Sequence, residues 1–220
     1  MIDSRTTPQR LPASDRRRQL LETALDFFAR KGYGGTTTKE IAAAAGVTEA
    51  IIFRHFPSKA DLYNAVLDYH HDSSALADCV AEFSRHIDAN DDEGLFRALI
   101  RGMIEGHRKD LRVHRVLLFA ALEGHQLGLE HARALKAPIF ELLYRYVARR
   151  QSEGAIRPGN PGAILAAIAG MAAHYATMTQ MFGYSVNATD SEIVDTFVGI
   201  LKHGIYQDPQ LMDPELQKGQ

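Results

Sequence analysis

Hydrophobic positions recur along the chain at helical rather than strand spacing. Leu20, Leu21, Ala24, Leu25 and Phe28, for example, recur at steps of three or four and would share one side of a helix. No stretch alternates apolar and polar residues as a half-buried strand does, and no Asn-Gly or Asp-Gly hairpin turn occurs. The pattern therefore predicts an all-α chain.

Start and stop signals divide the chain into ten predicted helices. They run from a cap at Ser14 or Asp15 to Lys31, from Thr37 to about Ala45, from Thr48 to His55 or Phe56, from Ser58 to about Tyr69, and over about 74–88, 93–108, 111–127, 130–152, 162–182 and 190–206. Two starts fit a capping box, in which a hydroxyl and an acid three residues later satisfy each other's free amides. These boxes are Thr37 with Glu40 and Ser58 with Asp61.

The second and third predicted helices are short and are joined by a turn that contains Gly46, which is the helix-turn-helix pattern. Six apolar residues can point inward: Ile41, Ala42, Ala45, Val47, Ile52 and Phe56. The outer face then carries Glu49, Ala50, Ile51, Phe53, Arg54 and His55. An outward Ile and Phe indicate a face that something covers. Either nucleic acid covers it, or these two residues pack on the first or fourth helix of a plain helical core.

Charge is distributed unevenly along the 220 residues. Residues 1–59 hold ten Lys and Arg against six Asp and Glu, a net of +4, whereas the remainder holds fifteen against twenty-one, a net of −6. A basic N-terminal block before an acidic body is expected of a nucleic-acid-binding module joined to a second domain. A solvated charged face is the alternative.

The segment FFARKGYGGTTTKEIAAAAGVTEAIIFRHFPSKADLYNAVL (27–67) resembles the DNA-binding domain of the TetR family of bacterial transcriptional regulators. The matching residues are Phe28, Gly32-Tyr33, Thr36-Thr37, Ile41-Ala42, Ala45-Gly46-Val47, Ile52-Phe53, His55-Phe56, Pro57-Ser58-Lys59 and Leu62. The resemblance implies a homodimeric regulator, usually a repressor that a small ligand releases from a pseudopalindromic operator. It also implies an N-terminal three-helix helix-turn-helix domain and a larger C-terminal helical domain for ligand binding and dimerisation.

The resemblance also implies which side chains contact DNA. Thr37 and Lys59 would touch phosphates, and Thr48 can do the same at the next helix N-terminus. Residues 49, 50, 51, 53, 54 and 55 would face the major groove, with Arg54 reaching a guanine edge or a phosphate and His55 taking a phosphate. The arginines Arg16, Arg17 and Arg18, with Arg5 and Arg10 before them, form an electrostatic arm or else a solvated helix start.

Three positions on the predicted recognition helix raise questions of their own. Phe53 stands where the family usually has a phosphate-binding Tyr, and Ile51 offers only apolar contact, for which a thymine methyl is the natural partner. Glu49 has two interpretations. It stabilises the helix N-terminus as a first-turn acid, or it accepts a hydrogen bond from a cytosine amino group.

The segment 161–182 is apolar nearly all round, as a membrane span would be, but it contains His174, Tyr175 and Gln180. We expect a helix buried between neighbours or in a subunit interface, and no membrane partner. Small residues recur along it at steps of three or four, which lets a second helix approach closely: Gly162, Ala166, Gly170, Ala173 and Thr177. By the resemblance, the helices near 130–152 and 162–182 form a four-helix bundle with their twofold mates.

Candidate ligand-pocket residues are apolar or aromatic with a few polar groups, the composition of most pockets. They are Phe96, Met103, His107, Leu118, Phe119, Leu122, Glu123, Phe140, Tyr144, His174, Tyr175 and Met178. Alternatively, the C-terminal domain binds a protein partner or no ligand. No metal or cofactor is expected, because the ten histidines form no H-x-x-x-H pair and Cys79 is the single cysteine. No nucleotide-binding loop or hydrolase motif indicates an enzyme.

These expectations divide the chain into a flexible basic arm (1–13), a helix-turn-helix domain (14–57), a connecting helix (58–71), a ligand-binding and dimerisation domain (72–208) and a frayed tail (209–220). The N-terminus has no apolar signal region, so the expected compartment is the cytoplasm, in association with the nucleoid.

Overall fold

The computed structural model describes residues 12–70 and 73–205. These residues form ten α-helices: α1 (Ala13–Lys31), α2 (Thr38–Ala44), α3 (Glu49–His55), α4 (Lys59–His70), α5 (Ser73–Asp88), α6 (Asp92–Lys109), α7 (Leu111–Glu123), α8 (Gln126–Ser152), α9 (Pro161–Met181) and α10 (Asp190–Ile205). For the described residues, the prediction of an all-α fold with an N-terminal three-helix helix-turn-helix domain is confirmed. The frayed tail predicted at 209–220 lies outside the described residues.

The first helix begins earlier than predicted. Its N-cap is Pro12, whose carbonyl accepts the Arg16 N–H at 2.9 Å, so the prediction of a Ser14 or Asp15 cap is wrong. Proline at the boundary has a fixed φ and can begin a helix without a side-chain cap. Asp15 lies in the first turn, where its charge still favours the helix dipole. The end at Lys31, before Gly32, is as predicted.

Side-chain capping sets two of the next three helix starts. At α2, the Thr37 hydroxyl accepts the Glu40 N–H and the Glu40 carboxylate accepts the Thr37 N–H, which confirms that capping box. At α4, the Ser58 hydroxyl accepts the Asp61 N–H at 3.1 Å. Thr48 stands at the N-cap of α3, but its side chain makes no capping hydrogen bond.

The break between α7 and α8 lies earlier than predicted. The sequence predicted helices over 111–127 and 130–152, but α7 ends at Glu123 and α8 starts at Gln126. Gly124 adopts φ +65°, a left-handed conformation that glycine tolerates and that ends α7. Gly128, in contrast, continues the helix.

The chain divides into two compact units. Of the described residues, one unit contains 12–70 and 112–133, and the other contains 73–111 and 134–205. The buried core of the N-terminal unit comprises Leu20, Leu21, Ala24, Leu25, Phe28, Ala29, Ile41, Ala42, Ala45, Ile52, Phe56, Leu62, Tyr63, Val66, Leu67 and Val116. α7 therefore contributes directly to the core beneath the helix-turn-helix.

The C-terminal unit has its own hydrophobic core. It is built by α5, α6, α8, α9 and α10 around buried residues such as Phe83, Phe96, Ile100, Val147 and Ile168. Its polar anchor is Asp92 at the start of α6, which binds Arg150 and Tyr146 of α8.

Helix α9 is long and apolar enough, by length and composition, to cross a membrane. In this unit it packs against α6 and α10 through a buried stripe that includes Leu165, Ile168, Ala172 and Ala176. Such packing suits a core helix. Its opposite side is exposed.

Candidate nucleic-acid interface and ligand cavity

The turn between α2 and α3 is held by backbone geometry and by burial. Gly46 adopts φ +66°, and the Val47 N–H donates to the Ala42 carbonyl at 2.9 Å. Ile52 and Phe56 are buried, so one face of α3 is fixed against the core. The inward set predicted from the sequence is buried, apart from the half-buried Val47.

The opposite face of α3 is open to solvent. Phe53 is 44% exposed, and Ala50 and Arg54 are also exposed. Ile51 and Glu49 are half-buried. The structure thus leaves Phe53 uncovered within the protomer, rather than packing it on α1 or α4.

Glu49 has a partner that neither interpretation of the sequence contained. The hydroxyl of Thr38, at the start of α2, donates a hydrogen bond to the Glu49 carboxylate. Thr38 is only 8% exposed. The N-termini of α2 and α3 are therefore joined through two side chains.

Thr37, predicted to touch a phosphate, is exposed at the N-terminus of α2. Its hydroxyl lies 2.9 Å from the Glu40 carboxylate, to which it donates. The Lys31 amine donates to the same carboxylate at 2.6 Å. Hydrogen bonds from Lys31 and Thr37 lower the pKa of Glu40 to about 2, so this carboxylate stays ionised at neutral pH.

Lys59, the other predicted phosphate contact, is oriented by an aromatic ring. Its amine lies 4.2 Å from the centroid of the Tyr33 ring, a cation–π distance. Burial lowers the pKa of Lys59, while the carboxylates of Glu123 and Glu40 act in the opposite direction. The side chain is half-buried at the start of α4.

His55 is less suited to a phosphate than the sequence indicated. Burial, and then the charges of Arg54, Arg17 and Arg16, lower its pKa. Its Nε2 atom is buried and has no hydrogen-bond partner among the described residues. A neutral imidazole offers a phosphate no charge, so Arg54 is the better cation on this helix.

Each arginine of the run at the start of α1 has a partner in the N-terminal unit. Arg16 donates to Gln19, Arg17 lies 5.0 Å above the Phe56 ring, and Arg18 lies 3.6 Å from Asp15. Arg17 and Arg18 remain exposed. Arg5 and Arg10 lie outside the described residues.

Glu123, predicted for the ligand pocket, lies against the turn between α1 and α2. Its carboxylate accepts the N–H groups of Tyr33 at 3.1 Å and Gly34 at 3.2 Å. Gly32 has φ +72°, and the Glu123 carboxylate occupies the space that a Cβ atom there would need. The end of α7 thus fixes the turn that precedes the helix-turn-helix.

Replacing Glu123 by alanine is expected to lower the free energy of unfolding by about 1 kcal/mol, because two backbone donors lose a charged acceptor at an exposed site. Urea denaturation of the full chain measures the change. Glu130→Ala is the matched control, since Glu130 is exposed on α8. Equal stability of the two variants would show that the Glu123 contacts contribute nothing.

A cavity of about 1210 Å³ lies in the C-terminal unit, between α5, α6, α8 and α9. Met103 and Phe140 of the predicted pocket residues line it, together with Ala166 from the predicted dimer ridge. The apolar wall includes Cys79, Phe83, Leu99, Ile139, Leu143 and Leu165.

The other predicted pocket residues lie elsewhere. Leu118, Phe119, Leu122 and Glu123 belong to the N-terminal unit. The remaining six do not line the cavity. Phe96 is buried in the core, Met178 is half-buried, and Tyr144 and His174 are exposed. His107 forms a hydrogen bond with the Met103 carbonyl at 2.8 Å, and Tyr175 packs edge-on against Phe197.

Small residues on α6 keep the cavity open. Ala98, Gly102 and Gly106 recur every four residues and all line it, and Cβ atoms at the two glycines would meet nothing within 4 Å. This spacing is visible in the sequence and could have marked the wall.

Charged side chains lie along the α5 and α6 side of the cavity. Arg101 pairs with Glu82 at 2.5 Å, and Asp78, Arg85, Glu105 and Lys109 also line this side. The cavity can therefore hold an apolar body with a polar group at its margin. Among the described residues, no cluster of three or more His, Cys, Asp or Glu could hold a metal ion.

The predicted dimer ridge is partly exposed along α9, and one of its residues, Ala166, also lines the cavity. Ala166 and Gly170 are exposed, and Gly162, Ala173 and Thr177 are half-buried. Phe140 and Tyr144 of α8 border it near Gly162 and are 47% and 37% exposed. Aromatic side chains beside small residues make this an apolar surface.

A short helix with an exposed face, fixed on a buried helix core by a glycine turn, is the geometry of a helix-turn-helix motif. Residues 20–66 match the family model described as bacterial regulatory proteins, tetR family. The TetR family identified from residues 27–67 is thereby confirmed over this segment.

Curated relatives match over part of their length. The HTH-type transcriptional activator FasR of Mycolicibacterium smegmatis is 45% identical over 64 residues, which cover 29% of each chain. The HTH-type transcriptional regulator TtgR of Pseudomonas putida is 35% identical over 104 residues, 47% of this chain and 48% of that protein. The chain thus spans less than half the length of these relatives.

Solved structures share the fold. AibR, in complex with isovaleryl coenzyme A and operator DNA, matches with a TM-score of 0.59 and 24% identity over 84% of this chain and 97% of that chain. A regulator from Saccharomonospora viridis in complex with choline matches with a TM-score of 0.60 and 17% identity over 89% of this chain and all of that chain.

Proposed function

We propose that this chain is a sequence-specific, double-stranded-DNA-binding transcriptional regulator that acts as a homodimer in the bacterial cytoplasm. The observation that carries the proposal is the exposed face of α3, fixed on a helix-turn-helix core that matches the TetR family over residues 20–66. The exposed ridge of α9 supports a second copy as partner, and a twofold dimer implies a pseudopalindromic operator.

In the proposed interface, α3 enters the major groove. Ile51 and Phe53 contact thymine methyls and sugars, and Arg54 supplies polar readout of a guanine. Thr37 and Lys59 lie beside phosphates at the starts of α2 and α4, where free amides and the helix dipole favour an anion. The aromatic support of Lys59 keeps its amine in place before DNA binds.

Selection from random duplex DNA, followed by mobility shift at stated salt, tests the proposal. We expect a two-half-site sequence bound by two copies, with the stoichiometry measured by analytical ultracentrifugation. Failure to enrich any sequence at low salt would reject DNA binding.

We further propose that a small apolar or aromatic ligand with a polar group occupies the cavity and releases the protein from DNA. Support comes from the cavity's apolar wall and charged margin. Ligand binding by this fold is supported by AibR, whose crystal structure contains isovaleryl coenzyme A and operator DNA together. A thermal-shift screen of apolar, aromatic and cationic compounds tests ligand binding. A screen without any shift would favour a protein partner instead.

Replacing Gly102 by leucine is expected to fill the cavity without harming α6, because leucine has the higher helix propensity. Binding of 1-anilinonaphthalene-8-sulfonate, an apolar ring system with one anionic group, should weaken roughly tenfold, the loss expected when about 1.4 kcal/mol of contact is blocked. Fluorescence titration measures it. Gly199→Leu on α10 is the matched control, since its added side chain also meets open space but lies outside the cavity lining. Equal dye affinity for both variants would contradict the assignment.

A further inference from the structure

A side-chain link joins the two helices of the proposed DNA-reading motif. The Thr38 hydroxyl, in the first turn of α2, donates to the carboxylate of Glu49, the first residue of α3. Thr38 is 8% exposed, and Glu49 is half-buried. Burying a hydroxyl without a hydrogen-bond partner destabilises the folded state, so the Glu49 carboxylate stabilises the fold by accepting this hydrogen bond.

Helix α3 depends on such links for its orientation. It has seven residues, too few for a helix to be stable alone, and Thr48 adds no side-chain cap. Ile52 and Phe56 fix its inner face. The bond from Thr38 is a further constraint at the opposite end of α3 from Phe56, and it is charge-assisted, hence stronger than a neutral hydrogen bond.

We propose that Glu49 is a positioning residue for DNA recognition: through Thr38 it fixes the N-terminus of α3 on α2, and it does not read a base. This inference rests on the proposed DNA-binding function and deepens it. One of the two carboxylate oxygens of Glu49, Oε1, is already bonded within the protein. Glu49 acts instead through the placement of Phe53 and Arg54, whose side chains are exposed for contact.

A positioning residue and a base-reading residue predict different results. Loss of position weakens contacts along the whole of α3, so affinity should fall for every operator variant by a similar factor. Loss of a base contact relaxes preference at one position of the operator. Thr38 separates the two roles, because its buried hydroxyl bonds Glu49 and has no role in base reading.

The experiment measures operator affinity and base preference for Thr38→Val, Glu49→Ala and the double variant of the full chain. Each single variant should bind the selected operator about tenfold to a hundredfold more weakly, as expected when a charge-assisted hydrogen bond is lost. The double variant should be little weaker than Glu49→Ala, because one link has been removed twice. Glu49→Ala also removes a favourable charge from the N-terminus of α3. That loss is the same whether residue 38 is wild type or substituted, so it does not contribute to the difference between the two measurements.

Two further variants serve as controls. Thr38→Ser keeps the hydroxyl and should retain affinity within about twofold, which is a difference below 0.5 kcal/mol. Thr23→Val removes a hydroxyl that bonds only within α1, to the Gln19 carbonyl, and should bind as the wild type does. Circular dichroism checks that each variant is folded, and if Thr38→Val is not, Thr38→Ala replaces it.

Three outcomes would overturn the inference. If Thr38→Val binds the operator as tightly as the wild type does, the hydrogen bond between Thr38 and Glu49 does not contribute to DNA recognition. If the affinity losses of the two single variants add in the double variant, the two residues act separately. A changed base preference in Glu49→Ala alone makes Glu49 a base reader. If the wild type selects no DNA sequence, the proposed DNA-binding function is wrong. If the wild type selects an operator that Thr38→Val binds equally tightly, only the positioning role is wrong.

Discussion

Replacing Arg150 by methionine should lower the free energy of unfolding by about 3–5 kcal/mol, the usual effect of removing one partner of a buried ion pair. Arg150 donates from Nε and Nη2 to the two carboxylate oxygens of Asp92, each at 2.9 Å. The side chains are 16% and 9% exposed. Methionine keeps much of the apolar volume but leaves the Asp92 charge buried with too few donors.

The Tyr146 hydroxyl is the remaining donor to Asp92. Burial and the contact with Asp92 raise the pKa of Tyr146 above the usual range, so the hydroxyl stays protonated and cannot supply a positive charge. The hydrogen bonds to Asp92 likewise raise the pKa of Arg150, so its guanidinium stays charged in the intact protein.

Urea denaturation followed by circular dichroism measures the loss. Arg149→Met is the matched control, because Arg149 is the adjacent residue, is 43% exposed, and pairs with Glu153 at 3.5 Å. An exposed pair of this kind contributes about 0–1 kcal/mol. If both variants are destabilised equally, the Asp92–Arg150 pair is not the anchor that joins α6 to α8.

Sequence patterns predicted the structural features that depend on residues close together in the chain. All ten helices, the capping box at Thr37 and the buried set of the helix-turn-helix follow from spacing within a few residues. The predictions were wrong where a helix boundary depended on the backbone conformation of a single residue. Pro12 began α1 without a side-chain cap, and the left-handed Gly124 ended α7 before the predicted break.

Contacts between distant residues were not predictable in the same way. Glu123 bonds the amides of Tyr33 and Gly34, about 90 positions away, and nothing in its local pattern indicates that partner. Thr38 and Glu49 are eleven residues apart, on helices whose relative placement the sequence does not specify. The cavity raises the same problem, because its wall combines residues from four helices.

The exposed residues of the proposed DNA interface were predictable because the spacing of the inward apolar residues on a helix determines which positions face outward. Phe53 and Arg54 were assigned to the outer face by elimination of inward positions, and both are exposed. Their roles toward DNA remain proposals. His55 shows the limit of this reasoning, since its buried Nε2 and lowered pKa depend on neighbours across the fold.

Replacing Lys59 by alanine should weaken binding to all DNA sequences and reduce the slope of log affinity against log salt by about 0.9, the value for one phosphate contact. Its amine, supported by Tyr33 at 4.2 Å, carries charge but no groove-reading geometry. Titrations at several salt concentrations, on the selected operator and on an unrelated duplex, give the slope. Lys202→Ala removes the same charge from the C-terminal unit, where Lys202 pairs with Glu93, and should leave the slope unchanged.

Replacing Arg54 by alanine should act differently, because Arg54 lies exposed on α3 beside Phe53. The operator affinity should fall by about 1–3 kcal/mol, and discrimination should relax at one base pair. If instead Arg54→Ala lowers the salt slope and leaves base preference intact, Arg54 contacts a phosphate, and sequence readout then depends on the apolar contacts of Ile51 and Phe53. The two variants together thus separate the residues that position the protein on DNA from those that select the sequence.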